Sequence, residues 1–199
     1  MARKNKKIKL HEWANTILPG IVDKLEKSVK SGFHIMSEET LNISGRNAIY
    51  EVLDGLLAVL FPGAYSKEKV LPEDLNLYLG DTLRHISLKL KKQLHEILEF
   101  YCKHDKCDIC DCEDKSQKMC QEVIESLPEL RSLLLEDINA AFEGDPAAHT
   151  IDEIVLSYPC IEAIATYRIA HMLYTLEIPL IPRIMTERAH SRTGIDIHP

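Results

Sequence analysis

The sequence has no run of apolar residues approaching the roughly 18 to 20 that a membrane helix needs. Its basic start, MARKNKKIK, is not followed by the apolar core and small-residue cleavage site of a signal peptide. Positive charge is not in excess either. The net charge is -7, which argues against a nucleic-acid binder, because neutralising phosphates needs Lys and Arg clustered on one face. The single basic cluster, at the N-terminus, reads as a frayed and solvated beginning to the first helix. Gly-rich phosphate loops, G-x-S-x-G and H-E-x-x-H do not occur, so kinase, hydrolase and zincin chemistry have no support. Internal repeats and low-complexity segments are missing as well. The expectation is a cytoplasmic chain with neither a membrane nor a nucleic acid as partner. In a reducing compartment its six cysteines are expected as thiols or metal ligands.

What is present is the composition of a globular domain: 199 residues, 45% hydrophobic and 28% charged. Helical periodicity runs almost to the end. Leu10, Trp13, Ile17, Ile21, Leu25 and Val29 form one stripe, interrupted at Pro19 and closed by Gly32. After Ser37 as a cap, a helix from about Leu41 to Phe61 is apolar over a wide arc. Leu53, Leu56, Leu57, Leu60 and Phe61 on that arc exceed what a two-layer hairpin needs, which predicts an interface between copies unless the N-terminal helix covers them. Leu75, Leu79, Leu83, Ile86, Leu90, Leu94 and Ile97 predict a long helix from Pro72 to about Tyr101. A second, from about Glu113 to Phe142, predicts its antiparallel partner. Thr150 with Glu153 has capping-box spacing, Pro159 suits a helix start, and a last Pro-bounded helix ends at Gly194. Only in Gly194 to Pro199 does the apolar period change from about 3.6 to about 2, as at the start of a strand.

Three segments offer chemistry. In YCKHDKCDICDCEDKSQKMC, the residues Cys102, His104, Cys107, Cys110, Cys112 and Cys120 share one connection. They read either as thiols in an acidic loop or as a zinc clip on the hairpin, although the spacing matches no standard two-knuckle module. Gly144-Asp145-Pro146 is explained by a helix stop, an Asp cap and a Pro at the first helical position, or by an exposed carboxylate that binds an amino group. Arg168 and His171 lie at helical spacing; His171 is a hydrogen-bonded packing histidine, a ligand or a base. Before about residue 140 nothing else ties to chemistry.

The last 55 residues, Asp145 to Pro199, carry an Asp-Pro, a Tyr-Arg-Ile-Ala-His helix and a closing Asp-Ile-His-Pro, in that order. In these features the chain resembles the serine O-acetyltransferases. The resemblance implies an enzyme of cysteine biosynthesis that moves an acetyl group from acetyl-CoA, its co-substrate, to L-serine, with no tightly bound cofactor. It also implies the fold: an all-α domain with a long helical hairpin over residues 1–193, then residues 194–199 as the first strand of a left-handed parallel β-helix of hexapeptide repeats. Asp145, with Pro146, matches the family's serine-binding Asp-Pro, whose carboxylate receives the substrate ammonium. Asp196 matches the aspartate of the catalytic His-Asp pair. The base histidine of that pair stands in a D-H-x-T-G segment that does not occur in these 199 residues.

The chain is therefore expected to end as the catalytic domain begins and to be inactive alone, because a positioned base contributes on the order of 10²- to 10⁴-fold. Members of the family form trimers that pair into hexamers, and a tail not found here docks into the sulfhydrylase that uses O-acetylserine. The alternative from another class is a non-catalytic helical oligomerisation or interaction module. A third reading makes the cysteine loop a metal or redox sensor.

Overall fold

The structure, a computed structural model, describes residues 9–31, 45–104 and 111–199. The chain divides into two compact units, Met1–Asn42 and Ile43–Pro199. Gly32, Ser37, Leu41, Cys107 and Cys110, all singled out above, lie outside the described residues.

The first unit contains α1 (Leu10–Thr16) and α2 (Leu18–Ser31). The break falls at Ile17, because Pro19 brings no N–H and its ring disfavours a continuous helix through the preceding turn. The apolar stripe is present but uncovered within this unit: Ile17, Ile21, Leu25 and Val29 are exposed.

The second unit is built from seven helices among the described residues. The first, α3 (Arg46–Leu60), starts later than the apolar pattern suggests, since Gly45 precedes it at φ 81, a conformation outside the helix. Its wide arc is buried inside this unit. Leu53, Leu56, Leu57, Leu60 and Phe61 are each 5% exposed or less and join one core with residues of α4, α8 and α9. That corrects the expectation drawn from them: these five residues are not left over as surface but are covered by three intrachain neighbours.

A short 3-10 turn at Pro72–Asp74 leads into α4 (Leu75–His104), 30 residues long. Antiparallel to it runs α5 (Cys112–Glu125), whose start is capped by Asp111 accepting from the Asp114 N–H at 3.0 Å. Ile86, Leu90, Leu94 and Ile97 of α4 meet Met119, Cys120 and Val123 of α5 in the core. The hairpin is thus formed, but its second arm is not one helix to Phe142. It breaks at Ser126, and α6 (Leu127–Gly144) begins with Pro128 in its first turn. Pro128 cannot donate to the carbonyl one turn back, so the apolar stripe continues in a new direction, toward α7 (Ile151–Ser157) and α8 (Pro159–Thr175).

The helices α8 and α9 (Ile181–Thr193) pack closely, through Ile161, Ala165, Ile169 and Leu173 against Ile181, Met185 and Ala189. Arg188 of α9 reaches α3: it donates to the Tyr50 carbonyl at 2.7 Å, pairs with Asp54 at 2.6 Å and stacks over the Tyr50 ring at 4.6 Å. Gly194 ends α9 at φ 72, in the left-handed conformation that suits glycine. Residues 195–199 follow without a ladder partner, and among the described residues no strand forms. A strand needs a neighbour for its N–H and C=O groups, which alternation alone does not supply. No described helix is long and apolar enough to cross a membrane.

Candidate functional site

The site is assembled at the ends of three helices. Asp145 caps the C-terminus of α6 with φ -118 and ψ 101, and no helix begins at Pro146. The reading of Asp145 as the cap of a following helix is therefore replaced by an Asx turn. Its Oδ1 accepts the Ala147 N–H at 2.9 Å, and its carbonyl accepts the Ala148 N–H at 3.1 Å. The helix start lies five residues on, where the Thr150 Oγ1 accepts the Glu153 N–H at 3.1 Å and a Glu153 oxygen accepts the His149 N–H at 2.9 Å. That is the expected capping box, displaced by one residue on its return arm.

The other Asp145 oxygen, Oδ2, accepts the Tyr158 hydroxyl at 2.5 Å. Tyr158 stands in extended conformation just before Pro159, whose pyrrolidine ring disfavours the helical region for it. The hydroxyl, and then the Ala147 N–H, hold the Asp145 carboxyl below the usual carboxylate range. The same bond pushes Tyr158 up to about 12, so that it remains a donor. Among the described residues no cation pairs with Asp145. A carboxylate offers about four lone-pair positions, and two are used here. The half-exposed group thus keeps its charge and the capacity to accept from an ammonium. Pro146 beside it is exposed.

Arg168 and His171 do not join this group. Arg168 donates two hydrogen bonds to Asp137 of α6, at 2.5 and 2.7 Å, which ties α6 to α8. His171 is exposed and stacks between Tyr167 and Tyr174, with centroids 5.5 and 6.5 Å away. Asp196, beyond α9, lies 3.3 Å from Nδ1 of His190. Tyr158, Asp137 and His190 escaped the sequence reading. Tyr158 alone carried a usable signal, as a hydroxyl donor held extended by Pro159.

The cysteine candidates separate. Cys102 and Cys112 meet at 3.4 Å. Cys120 instead lies within the hairpin, where its thiol donates to the Ser87 carbonyl at 3.3 Å and burial pushes its pKa up. A clip that includes Cys120 is therefore not supported, and among the described residues no group of three or more His, Cys, Asp or Glu is placed to hold a metal ion. A groove of about 540 Å³ lies elsewhere, between α3, the 65–71 segment and α4, with Lys67, Tyr78 and His85 on its walls. It contains none of the residues that the sequence offered for chemistry, and Lys89 on its wall already pairs with Glu51.

No family model matches the chain. A plasmid-borne serine acetyltransferase of Synechococcus elongatus is 36% identical over 171 residues, which is 83% of this chain and 53% of that protein. The crystal structure of serine acetyltransferase 1 from Entamoeba histolytica with L-cysteine is similar at TM-score 0.56 and 29% identity, over 75% of this chain and 49% of that one. The native structure of the same enzyme is similar at TM-score 0.60 and 25% identity, over 90% and 61%. The chain spans about half the length of the curated relative, and its helical fold and sequence make it a homologue of the serine acetyltransferases.

Proposed function

We propose that the protein transfers the acetyl group of acetyl-CoA to the hydroxyl of L-serine, giving O-acetylserine. The single observation that carries this reading is the 36% identity to a serine acetyltransferase over 83% of the chain. The geometry around Asp145 supports it. A charged carboxylate, oriented by Tyr158 and the Ala147 N–H, suits the ammonium of an amino-acid substrate. Asp196 has the part of orienting and stabilising an imidazole that takes the proton of the serine hydroxyl, which then attacks the thioester carbon and expels the thiol of CoA. No D-H-x-T-G segment occurs in these 199 residues, so these residues alone are expected to leave the thioester intact. Acetyl-CoA acts as a co-substrate and not as a resident group. Trimers, paired into hexamers, with hexapeptide-repeat β-helices and a sulfhydrylase partner complete the proposal.

The test uses the complete gene product. With serine and acetyl-CoA it is expected to consume thioester absorbance. Asp145→Asn should raise the KM for serine by about 10-fold or more, the worth of one charge-assisted hydrogen bond, and leave the KM for acetyl-CoA unchanged. Intact thioester with the complete product, or equal changes in both KM values, would overturn the reading.

A further inference from the structure

The cysteines at the tip of the α4–α5 hairpin are not used by the acetyl transfer proposed above. Cys102 lies in the last turn of α4 and Cys112 is the first residue of α5. Their sulfurs stand 3.4 Å apart. Cys112 is part of the hairpin core and Cys102 packs against that core, so their approach does not rest on the sulfurs alone. Glu113, next to Cys112, pairs with Lys91 and lies 3.5 Å from Nδ1 of His95. Lys91, His95 and Cys102 fall on one face of α4, because steps of 4 and 7 residues return to nearly the same helical angle. The first turn of α5 is thus docked against the face of α4 that carries Cys102. Cys112 is 9% exposed, whereas Cys102 is half-buried and reachable from solvent.

We propose that Cys102 and Cys112 form a thiol–disulfide exchange site, whose co-reactant is a small-molecule disulfide of the glutathione type. The Cys102 thiolate attacks one sulfur of the co-reactant, breaking its S–S bond, forming a mixed disulfide and releasing one thiol. The Cys112 sulfur then attacks the Cys102 sulfur, giving the intramolecular bond and releasing the second thiol. The protein loses two electrons and the protons of its two thiols, and the co-reactant, reduced, leaves as two thiols. The helices already appose the sulfurs, and closure shortens their separation from 3.4 Å to about 2 Å. The bond covalently joins the ends of the two helices and makes hairpin stability depend on thiol redox state.

The test treats the full chain with oxidised glutathione, blocks remaining thiols with iodoacetamide and maps tryptic peptides. Trypsin places Cys102 on the peptide 93–103 and Cys112 on 107–115 together with Cys107 and Cys110. The Cys107→Ser/Cys110→Ser chain removes that ambiguity, and fragmentation of the linked wild-type peptides is a second route should the variant fold poorly. The expected result is a 93–103 to 107–115 cross-link through Cys112, released by dithiothreitol, with a higher Tm for the oxidised chain. Cys112→Ser should stop at glutathione on Cys102. Separate alkylation of Cys102 and Cys112, glutathione on each, or a cross-link through Cys107 or Cys110 would overturn the proposal. Acetyl transfer is not measured, so this outcome is independent of the proposed activity.

Discussion

Gly55 lies inside α3 and faces α4, and replacing it by alanine sets two effects of known sign against each other. A Cβ built at Gly55 would lie 2.6 Å from both Cδ1 and Cγ1 of Ile86, against the ordinary carbon contact of about 3.5–4.0 Å. Ile86 is 2% exposed, so it yields only by turning toward the groove beside it or by spreading α3 from α4, and both surrender apolar contact. Overpacking costs about 1–3 kcal/mol, and a clash with two Ile86 atoms belongs in the upper part of that range, about 2–3 kcal/mol. Helix propensity works the other way, since alanine in a helix interior is favoured over glycine by about 1 kcal/mol. The balance for Gly55→Ala is a loss of about 1–2 kcal/mol, or a fall in Tm of about 2–8 °C for a chain of this size. The assay is thermal and urea unfolding of Gly55→Ala, Ile86→Val and the double variant. Ile86→Val removes Cδ1, so its own cost of about 1 kcal/mol should vanish or change sign in the alanine background. A rise in Tm for Gly55→Ala, as propensity alone demands, or strict additivity in the cycle, would refute the close approach of α3 and α4.

Asp145 is held below the usual carboxylate range, so it is charged above its lowered pKa and loses charge only as pH falls through it. Its contribution to serine KM should be flat from about pH 8 to about pH 5, and Tyr158→Phe should move the acid limb to higher pH. Superimposable KM profiles for the two proteins would mean that the hydroxyl does not tune the site. Asp137→Ala leaves Arg168, a half-buried guanidinium with 28% of its side chain exposed, without its bidentate partner. Unfolding should report a loss of about 1–2 kcal/mol, and an unchanged Tm would show that the pair does not tie α6 to α8.

Much of the secondary structure was local information. The four- and three-residue steps from Leu75 to Ile97 specify one amphipathic face, and α4 appears where they place it. Thr150 and Glu153 bond as their spacing implies, because a cap involves only neighbours in the chain. Gly194 ends α9 for the same reason. The homology itself was legible in Asp145 to Pro199, where residue types and order, which need no coordinates, carried the resemblance.

What tertiary structure decided depended on partners distant in sequence. Leu53 to Phe61 look like an uncovered interface until α4, α8 and α9 close over them, since an apolar arc does not name its neighbour. Ser126 and Pro128 turn the second arm of the hairpin away from α4, a choice between continuing one stripe and starting another that only packing resolves. Tyr158 meets Asp145 across a whole helix, and Cys102 meets Cys112 where the start of α5 packs beside the end of α4. The sequence by itself determined which residues wish to be helical, capped or buried, because those preferences act within a few residues. Which carboxylate meets which hydroxyl, and which sulfur meets which, was set by the folded chain, because such pairs exist only when helices far apart in sequence share a surface.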